Sequence, residues 1–154
     1  MKALTSSPRI YTDEHGLKHR ELTEKLIGIF FAIYNELGHG FLESVYEQAF
    51  AVSLAEEGIF FQRQFAVPVW FRGRNIGEFR ADLLVDGKVI LELKAGRAID
   101  GTWEKQILNY LRATEIEIGM LFNFGPKAEF KRYIFNNDKK NPRKSELIRG
   151  EEVH

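Results

Sequence analysis

The sequence predicts an α/β domain in which a mixed β-sheet, built from an antiparallel three-stranded meander plus two further strands, is flanked by helices. The chain has 154 residues, about the size of one domain. Its apolar residues recur at helical spacing in the first third and alternate after Phe61, and a short apolar run at 118–125 follows a third helical segment. The predicted order of elements, ααβββαββ, is typical of a mixed sheet covered by helices.

Two helices are predicted before the first strand. The first has one apolar stripe, formed by Leu22, Leu26, Ile29, Phe30, Ile33 and Leu37. Gly38 and Gly40 end it, because glycine tolerates the left-handed geometry that follows many helices. The second helix is predicted from about residue 42 to residue 57, with an inner face of Val45, Tyr46, Ala49, Phe50 and Leu54.

A three-stranded meander is predicted next. Its strands lie at 61–71, 76–85 and 88–95, separated by turns that contain glycine. Because proline cannot donate to a ladder, Pro68 predicts that the first strand lies at a sheet edge or carries a bulge.

One helix and two strands complete the predicted domain. Asp100 or Thr102 caps a helix that extends to about Ala113. The nearly continuous apolar run at 118–125 is typical of a central strand that is covered on both faces. Alternation at 130–135 predicts the last strand.

Charge, cysteine content and hydropathy exclude several classes of protein. Lysine plus arginine number 22 and aspartate plus glutamate 22, and this neutral total disfavours coating of nucleic acid or membrane through bulk charge. The absence of cysteine excludes disulfide frameworks, zinc–thiolate sites and cysteine nucleophiles. No secretory signal or membrane span is evident, so we expect a cytoplasmic protein with no membrane partner. We expect a polar leader at 1–20, a domain at 21–135 and a loosely ordered polar tail at 136–154.

The most informative pattern is Asp82, followed by Glu92 and Lys94. On a strand Glu92 and Lys94 project from the same face, so charge lies where an interior strand should be apolar. Asp82 joins them only if the intervening hairpin loop has an odd number of residues. A two-residue loop of Asp86 and Gly87 gives the wrong parity, whereas a three-residue loop at 85–87, with its glycine left-handed, gives the right one.

Two acids that converge in a partly dry pocket repel each other unless a cation or a proton lies between them. Ligands that are all oxygen favour Mg²⁺ or Mn²⁺. A nearby lysine can then hold the attacking water or stabilise charge on a phosphate. The alternative is that Asp82 and Glu92 lie on a solvated hairpin with Lys94 as an ion-pair partner.

Two helices contribute further polar residues. Glu43 begins the second helix with Tyr46 one turn on, and Gln106 and Tyr110 share a face of the third helix. Ordinary explanations exist for both pairs, since an acid stabilises a helix N-terminus and polar residues border any amphipathic helix.

Together these segments resemble the GxxExxY protein family of the PD-(D/E)XK nuclease superfamily. Gly40, Glu43 and Tyr46 match the GxxExxY signature, and the similarity continues through RADLLVDGKVILELKA, QILNYL and MLFNFG, over about residues 20–135. The resemblance implies a restriction-endonuclease-like core and a hydrolase that uses Mg²⁺ or Mn²⁺ to cleave phosphodiester bonds of nucleic acid, most naturally DNA. Ala81 stands where the superfamily often has proline.

The resemblance also implies roles for the matched residues. Asp82 and Glu92 bind the metal, Glu43 assists a second ion or its water shell, and Lys94 is the catalytic lysine. Residues of the third helix support the site or touch the DNA backbone: Gln106 and Tyr110. Weaker candidates for nucleic-acid contact are Arg80, Arg97, Lys105 and Tyr46.

Two alternatives to a nuclease differ in how far the sequence supports them. The same fold can act as a catalytically silent binding or regulatory module, which binding without hydrolysis would reveal. An enzyme of small phosphorylated molecules lacks support, because the sequence has no GxGxxG and no Walker lysine. A chain of this size leaves little room for a separate recognition domain, so a homodimer or a larger complex is compatible with the sequence.

Overall fold

The computed structural model describes residues 19–140. Its helices are α1 (Arg20–Leu37), α2 (Glu43–Glu56) and α3 (Gly101–Arg112). Its strands are β1 (Phe61–Phe71), β2 (Arg74–Val85), β3 (Val89–Lys94), β4 (Ile118–Phe124) and β5 (Ala128–Ile134). The predicted order ααβββαββ is confirmed over these residues.

The five strands form one mixed sheet in the order β1-β2-β3-β4-β5. β3 and β4 are parallel and are joined through α3, whereas the other neighbours are antiparallel. All seven residues of β4 are buried, as predicted for a central strand. β1 is an edge strand, as Pro68 predicts, and the β1–β2 register shifts between Val69 and Trp70, where β2 has one extra residue, Ile76.

The helices cover both faces of the sheet. α1 and α2 pack on one face around Phe30, whose ring stacks 4.7 Å from that of Phe122. α3 packs on the other face through Ile107, Tyr110 and Leu111. Two residues predicted on the inner faces of α1 and α2 are instead exposed, because they lie at helix ends: Leu37 and Val45.

Ordered structure extends beyond the predicted domain boundary at residue 135. A 3₁₀ turn spans Asn137–Lys139, and the buried Lys140 Nζ donates to the carbonyl oxygens of Thr114 (2.8 Å) and Ile116 (3.0 Å). Most of the predicted leader and tail, residues 1–18 and 141–154, lie outside the described residues. Among the helices of residues 19–140, none is long and apolar enough to cross a membrane.

Candidate active site

The hairpin between β2 and β3 brings Asp82 and Glu92 together. β2 pairs with β3 from Leu83↔Leu91 to Val85↔Val89, and one further step of this register places Asp82 opposite Glu92. The loop has three residues, which is the odd number that the paired acids require. It contains Asp86, Gly87 and Lys88 and therefore begins one residue later than the sequence predicted.

Side chains replace the backbone ladder where the two strands separate. The backbone N–H of Asp82 donates to Glu92 Oε2 (3.1 Å), and the backbone N–H of Leu93 donates to Asp82 Oδ2 (2.7 Å). Each carboxylate therefore accepts a hydrogen bond from the opposite strand, which fixes its direction. On the other side of β3, Val89, Leu91 and Leu93 fill the core, as the alternation predicts.

The two acids are poorly solvated and interact strongly. Burial, and after it the charge of Asp82, raise the pKa of Glu92 to about 8. Burial likewise raises the pKa of Asp82 to about 6, and the charges of Glu47 and Glu43 act in the same direction. This pair holds a proton more readily than isolated acids do, and a bound cation would remove the same repulsion.

Lys94 is the cation beside the pair. It is the last residue of β3, and its Nζ lies 3.9 Å from Glu92 Oε1. The same Nζ lies 5.6 Å from the centroid of the Trp103 ring, so the side chain is held between an acid and an aromatic face. The lysine side chain is only 17% exposed, which limits its hydration and strengthens its interaction with a nearby anion.

The second helix adds negative charge near the acid pair. Glu43 is the first residue of α2 and is exposed, and it raises the pKa of both Asp82 and Glu92. Within residues 19–140, no three acidic or histidine side chains are close enough to hold one metal ion. Glu43 adds negative charge near the pair from the first turn of α2, and its predicted role of assisting a second ion or its water shell stays a prediction.

Glu47 is an acid that the sequence analysis missed. It lies one turn after Glu43 on α2, and its charge raises the pKa of Asp82. It accepts hydrogen bonds from Arg63 Nε and Gln64 Nε2, both at 3.0 Å, and this links α2 to β1 beside the acid pair. Its spacing of four residues from Glu43 was the available signal.

Of the two polar residues predicted on α3, Tyr110 is the one whose pKa responds to the charges of the acid pair. Burial raises the pKa of Tyr110, and the charges of Glu92 and Asp82 raise it further. The phenol therefore stays protonated and can donate a hydrogen bond towards the site. Gln106, one turn earlier on α3, is half-buried.

The weaker nucleic-acid candidates lie in different environments. Arg97 and Lys105 are exposed near the C-terminal end of β3 and on α3. Arg80 is exposed on β2, where it pairs with Glu78 (3.0 Å) and donates to the carbonyl oxygen of Gln64 (3.2 Å).

Tyr46 is placed in the core instead, so its predicted contact with nucleic acid is corrected. It is fully buried, and its ring stacks on Phe124 with centroids 4.0 Å apart. Its hydroxyl donates to the carbonyl oxygen of Gly38 (2.8 Å) and accepts from the N–H of Phe41 (3.2 Å). The tyrosine thus fixes the loop that positions Glu43.

Asn123 holds the backbone that follows Lys94. It is fully buried on β4, its Oδ1 accepts from the N–H of Gly96 (2.8 Å), and its Nδ2 donates to the carbonyl oxygen of Gly96 (3.0 Å). Gly125 lies against the same segment so closely that a Cβ would collide with the Gly96 carbonyl. A polar residue inside the apolar run at 118–125 was the sequence signal for this contact.

We predict that Asn123→Ala lowers the free energy of unfolding by about 2 to 4 kcal/mol, because two backbone groups of Gly96 lose their partners and a cavity forms. Urea unfolding measures this loss. Asn109→Ala is the matched control, since this exposed side chain accepts a hydrogen bond from Arg112 Nη1 at the surface (3.2 Å) and its loss should change stability little. Equal stability of the two variants would contradict the role of Asn123.

Comparisons with known proteins identify the superfamily of the chain. A model of the PD-(D/E)XK nuclease superfamily matches residues 20–133, which include both acids and Lys94. No curated protein matches the chain by sequence. A solved structure titled "Crystal structure of SSO0001" is similar with a TM-score of 0.48 and 17% identity, over 88% of this chain and 67% of that one. From the extent of the superfamily match, this chain belongs to the PD-(D/E)XK nuclease superfamily.

Proposed function

We propose that this protein is a metal-dependent nuclease of the GxxExxY group that hydrolyses phosphodiester bonds of nucleic acid, with DNA as the preferred substrate. The observation that carries the proposal is the pair of desolvated carboxylates, Asp82 and Glu92, with Lys94 Nζ 3.9 Å from Glu92. Proteins of this superfamily are generally nucleases, which supports the same activity.

The donor set fits a hard divalent cation. Asp82 and Glu92 would hold Mg²⁺ or Mn²⁺ through oxygen, and such ions commonly bind one or two carboxylates and complete their shell with water and substrate phosphate. Glu43, at the rim, would act on that water shell. When bound, the ion supplies a polarised phosphoryl oxygen and a water of lowered pKa.

The chain's own residues then position the reactants. Lys94 Nζ donates a hydrogen bond to the attacking water or to a phosphoryl oxygen, and its positive charge stabilises the charge that develops on the phosphate. Tyr110 keeps its proton and donates a hydrogen bond on the side of α3, where Gln106 can contact the backbone of the substrate. Asn123 keeps the segment after Lys94 in place.

The reaction is an in-line hydrolysis. The water oxygen bonds to phosphorus, the bond from phosphorus to the 3′ oxygen breaks, and a proton from the water ends on that oxygen. The products are a 3′ hydroxyl and a 5′ phosphate. No redox partner or covalent intermediate on the protein is needed.

Hydrolysis assays test the proposal directly. End-labelled single-stranded DNA, duplex DNA and RNA are incubated with the full chain in Mg²⁺, in Mn²⁺ and in chelator. We expect cleavage of DNA in metal only, with 5′ phosphates on the new ends. Binding of DNA without hydrolysis in either metal would overturn the proposal and favour a silent binding module.

A further inference from the structure

The β1–β2 hairpin projects past the candidate active site. β2 pairs with β3 only through residues 83–85, while its earlier residues pair with β1 alone, from Ala66↔Arg80 to Phe71↔Arg74. We call residues 66–80 the ribbon. Its tip is a two-residue turn in which Arg72 (φ 51°) and Gly73 (φ 76°) are both left-handed, as tight hairpin turns require.

The ribbon carries exposed aromatic rings at increasing distance from the site. Phe79 pairs with the buried Val67, is 45% exposed, and has its ring centroid 5.8 Å from that of Tyr110. Phe71 lies about 13 Å beyond Val67 along β1, past the register shift between Val69 and Trp70, and is 49% exposed. Between them Gly77 has open space where a side chain would lie.

Positive charge accompanies these rings. The ribbon contains Arg72, Arg74 and Arg80 against one acid, Glu78, although the whole chain has no net charge. The Arg72 guanidinium lies 4.7 Å from the centroid of the Phe71 ring, and Arg74 pairs opposite Phe71. Exposed rings beside arginines form the combination that binds single strands, because bases stack on the rings while phosphates meet the cations.

The position of the rings selects this ligand over a duplex. Bases inside a duplex are stacked on each other and cannot use exposed phenyl faces, whereas a single strand offers every base. Phe79 touches Tyr110, and the charges of Asp82 and Glu92 act on that same tyrosine. A strand that lay along the ribbon would therefore lead directly to the acid pair.

We propose that the ribbon is a single-strand-binding arm, in which bases stack on Phe79 and Phe71 while Arg72 and Arg74 contact phosphates. This inference rests on the proposed nuclease function and adds its substrate form, a single strand or the frayed end of a duplex. DNA and RNA share the chemistry that the arm recognises.

Fluorescence anisotropy tests the arm without any hydrolysis. A labelled oligothymidylate of about 12 nucleotides, an RNA of equal length and a hairpin-closed duplex are titrated with the full chain in chelator near neutral pH. We expect the single strands to bind more tightly than the duplex, and Phe79→Ala to weaken single-strand binding about tenfold or more. Phe79→Tyr should retain binding because it keeps a stacking ring.

Phe60→Ala is the matched control. Phe60 is 64% exposed just before β1, at the opposite end of the β1–β2 pair, and its loss should leave binding unchanged. The double variant Arg72→Ala, Arg74→Ala should weaken binding and lower the slope of log K against log salt by about 1. A thermal melt of each variant confirms that the chain is folded.

The arm would be overturned if folded Phe79→Ala and Phe71→Ala bound single strands with wild-type affinity. It would also be overturned if wild type bound the closed duplex as tightly as the single strands. Hydrolysis is scored separately. Cleavage in Mg²⁺ together with ring-independent binding would reject the arm and leave the nuclease proposal standing. Binding that depends on the rings, without cleavage in any metal, would support the arm and reject the nuclease proposal.

Discussion

Asp82→Asn and Lys94→Ala should each reduce DNA hydrolysis at least about a hundred- to thousandfold while the chain stays folded. Asparagine keeps the shape of Asp82 and its acceptor oxygen for the Leu93 N–H, but it removes the charge that a divalent cation requires. Alanine at position 94 removes the ammonium next to Glu92. Initial rates on labelled DNA in Mg²⁺ and in Mn²⁺ measure both losses.

Two variants at the far end of the same hairpin serve as controls. Asp86 and Lys88 form an exposed ion pair (3.3 Å) in the β2–β3 loop, so Asp86→Asn and Lys88→Ala make the same chemical changes away from the site. Both should cleave at nearly the wild-type rate. Full activity in Asp82→Asn or Lys94→Ala would refute the assigned site, provided that thermal melts show all four variants folded.

In chelator, the protein should lose stability as pH rises from about 5 to 8, and Glu92→Gln should remove most of that loss. The pKa of Glu92 is raised to about 8 and that of Asp82 to about 6, so the folded chain binds more protons than the unfolded chain in this range. Stability is therefore complete below the unfolded pKa values and falls as pH rises through the folded ones. At pH 8 we expect Glu92→Gln to be more stable than wild type by roughly 2 to 4 kcal/mol.

Urea unfolding at several pH values measures this difference, with Asp86→Asn as the control that should follow the wild-type curve. The interval ends near pH 8 because the pKa of buried Lys140 is lowered to about 8, and its titration would add the opposite slope above that pH. Mg²⁺ or Mn²⁺ should stabilise wild type more at pH 8 than at pH 5. If the stability of Glu92→Gln changed with pH as that of wild type does, the conclusion that Asp82 and Glu92 are destabilised by burial and mutual repulsion would be contradicted.

The fold and the acid pair were predictable because each depends on local pattern. Helical spacing predicted the helices, alternation predicted the strands, and Pro68 predicted the edge position of β1. The requirement that Asp82 and Glu92 share a face predicted a hairpin loop with an odd number of residues. The exact loop was predicted one residue early, because Asp86 (φ 54°) adopts the left-handed geometry that the sequence analysis reserved for glycine. Asp and Asn tolerate that geometry better than other non-glycine residues do.

The remaining site depended on contacts between distant parts of the chain. Tyr46 belongs to a motif that suggested function, yet its stacking on Phe124 is visible only once β4 is in place. The contribution of Glu47 depends on how α2 lies over the end of β1, where Arg63 and Gln64 meet it. Helical periodicity places a residue on a face and does not state which strand that face meets.

The parallel pairing of β3 with β4 also sets the order in which the candidate site can form while the chain is synthesised. Glu92 and Lys94 lie on β3, but the hydrogen bonds that hold Gly96 come from Asn123 on β4, so a nascent chain must expose β4 before the end of β3 is fixed. Parallel pairing across an intervening helix closes a long loop and is slow compared with local folding. A ribosome-bound chain that ends before β4 should therefore lack the assembled site, so the proposed hydrolysis would begin only once the domain is complete.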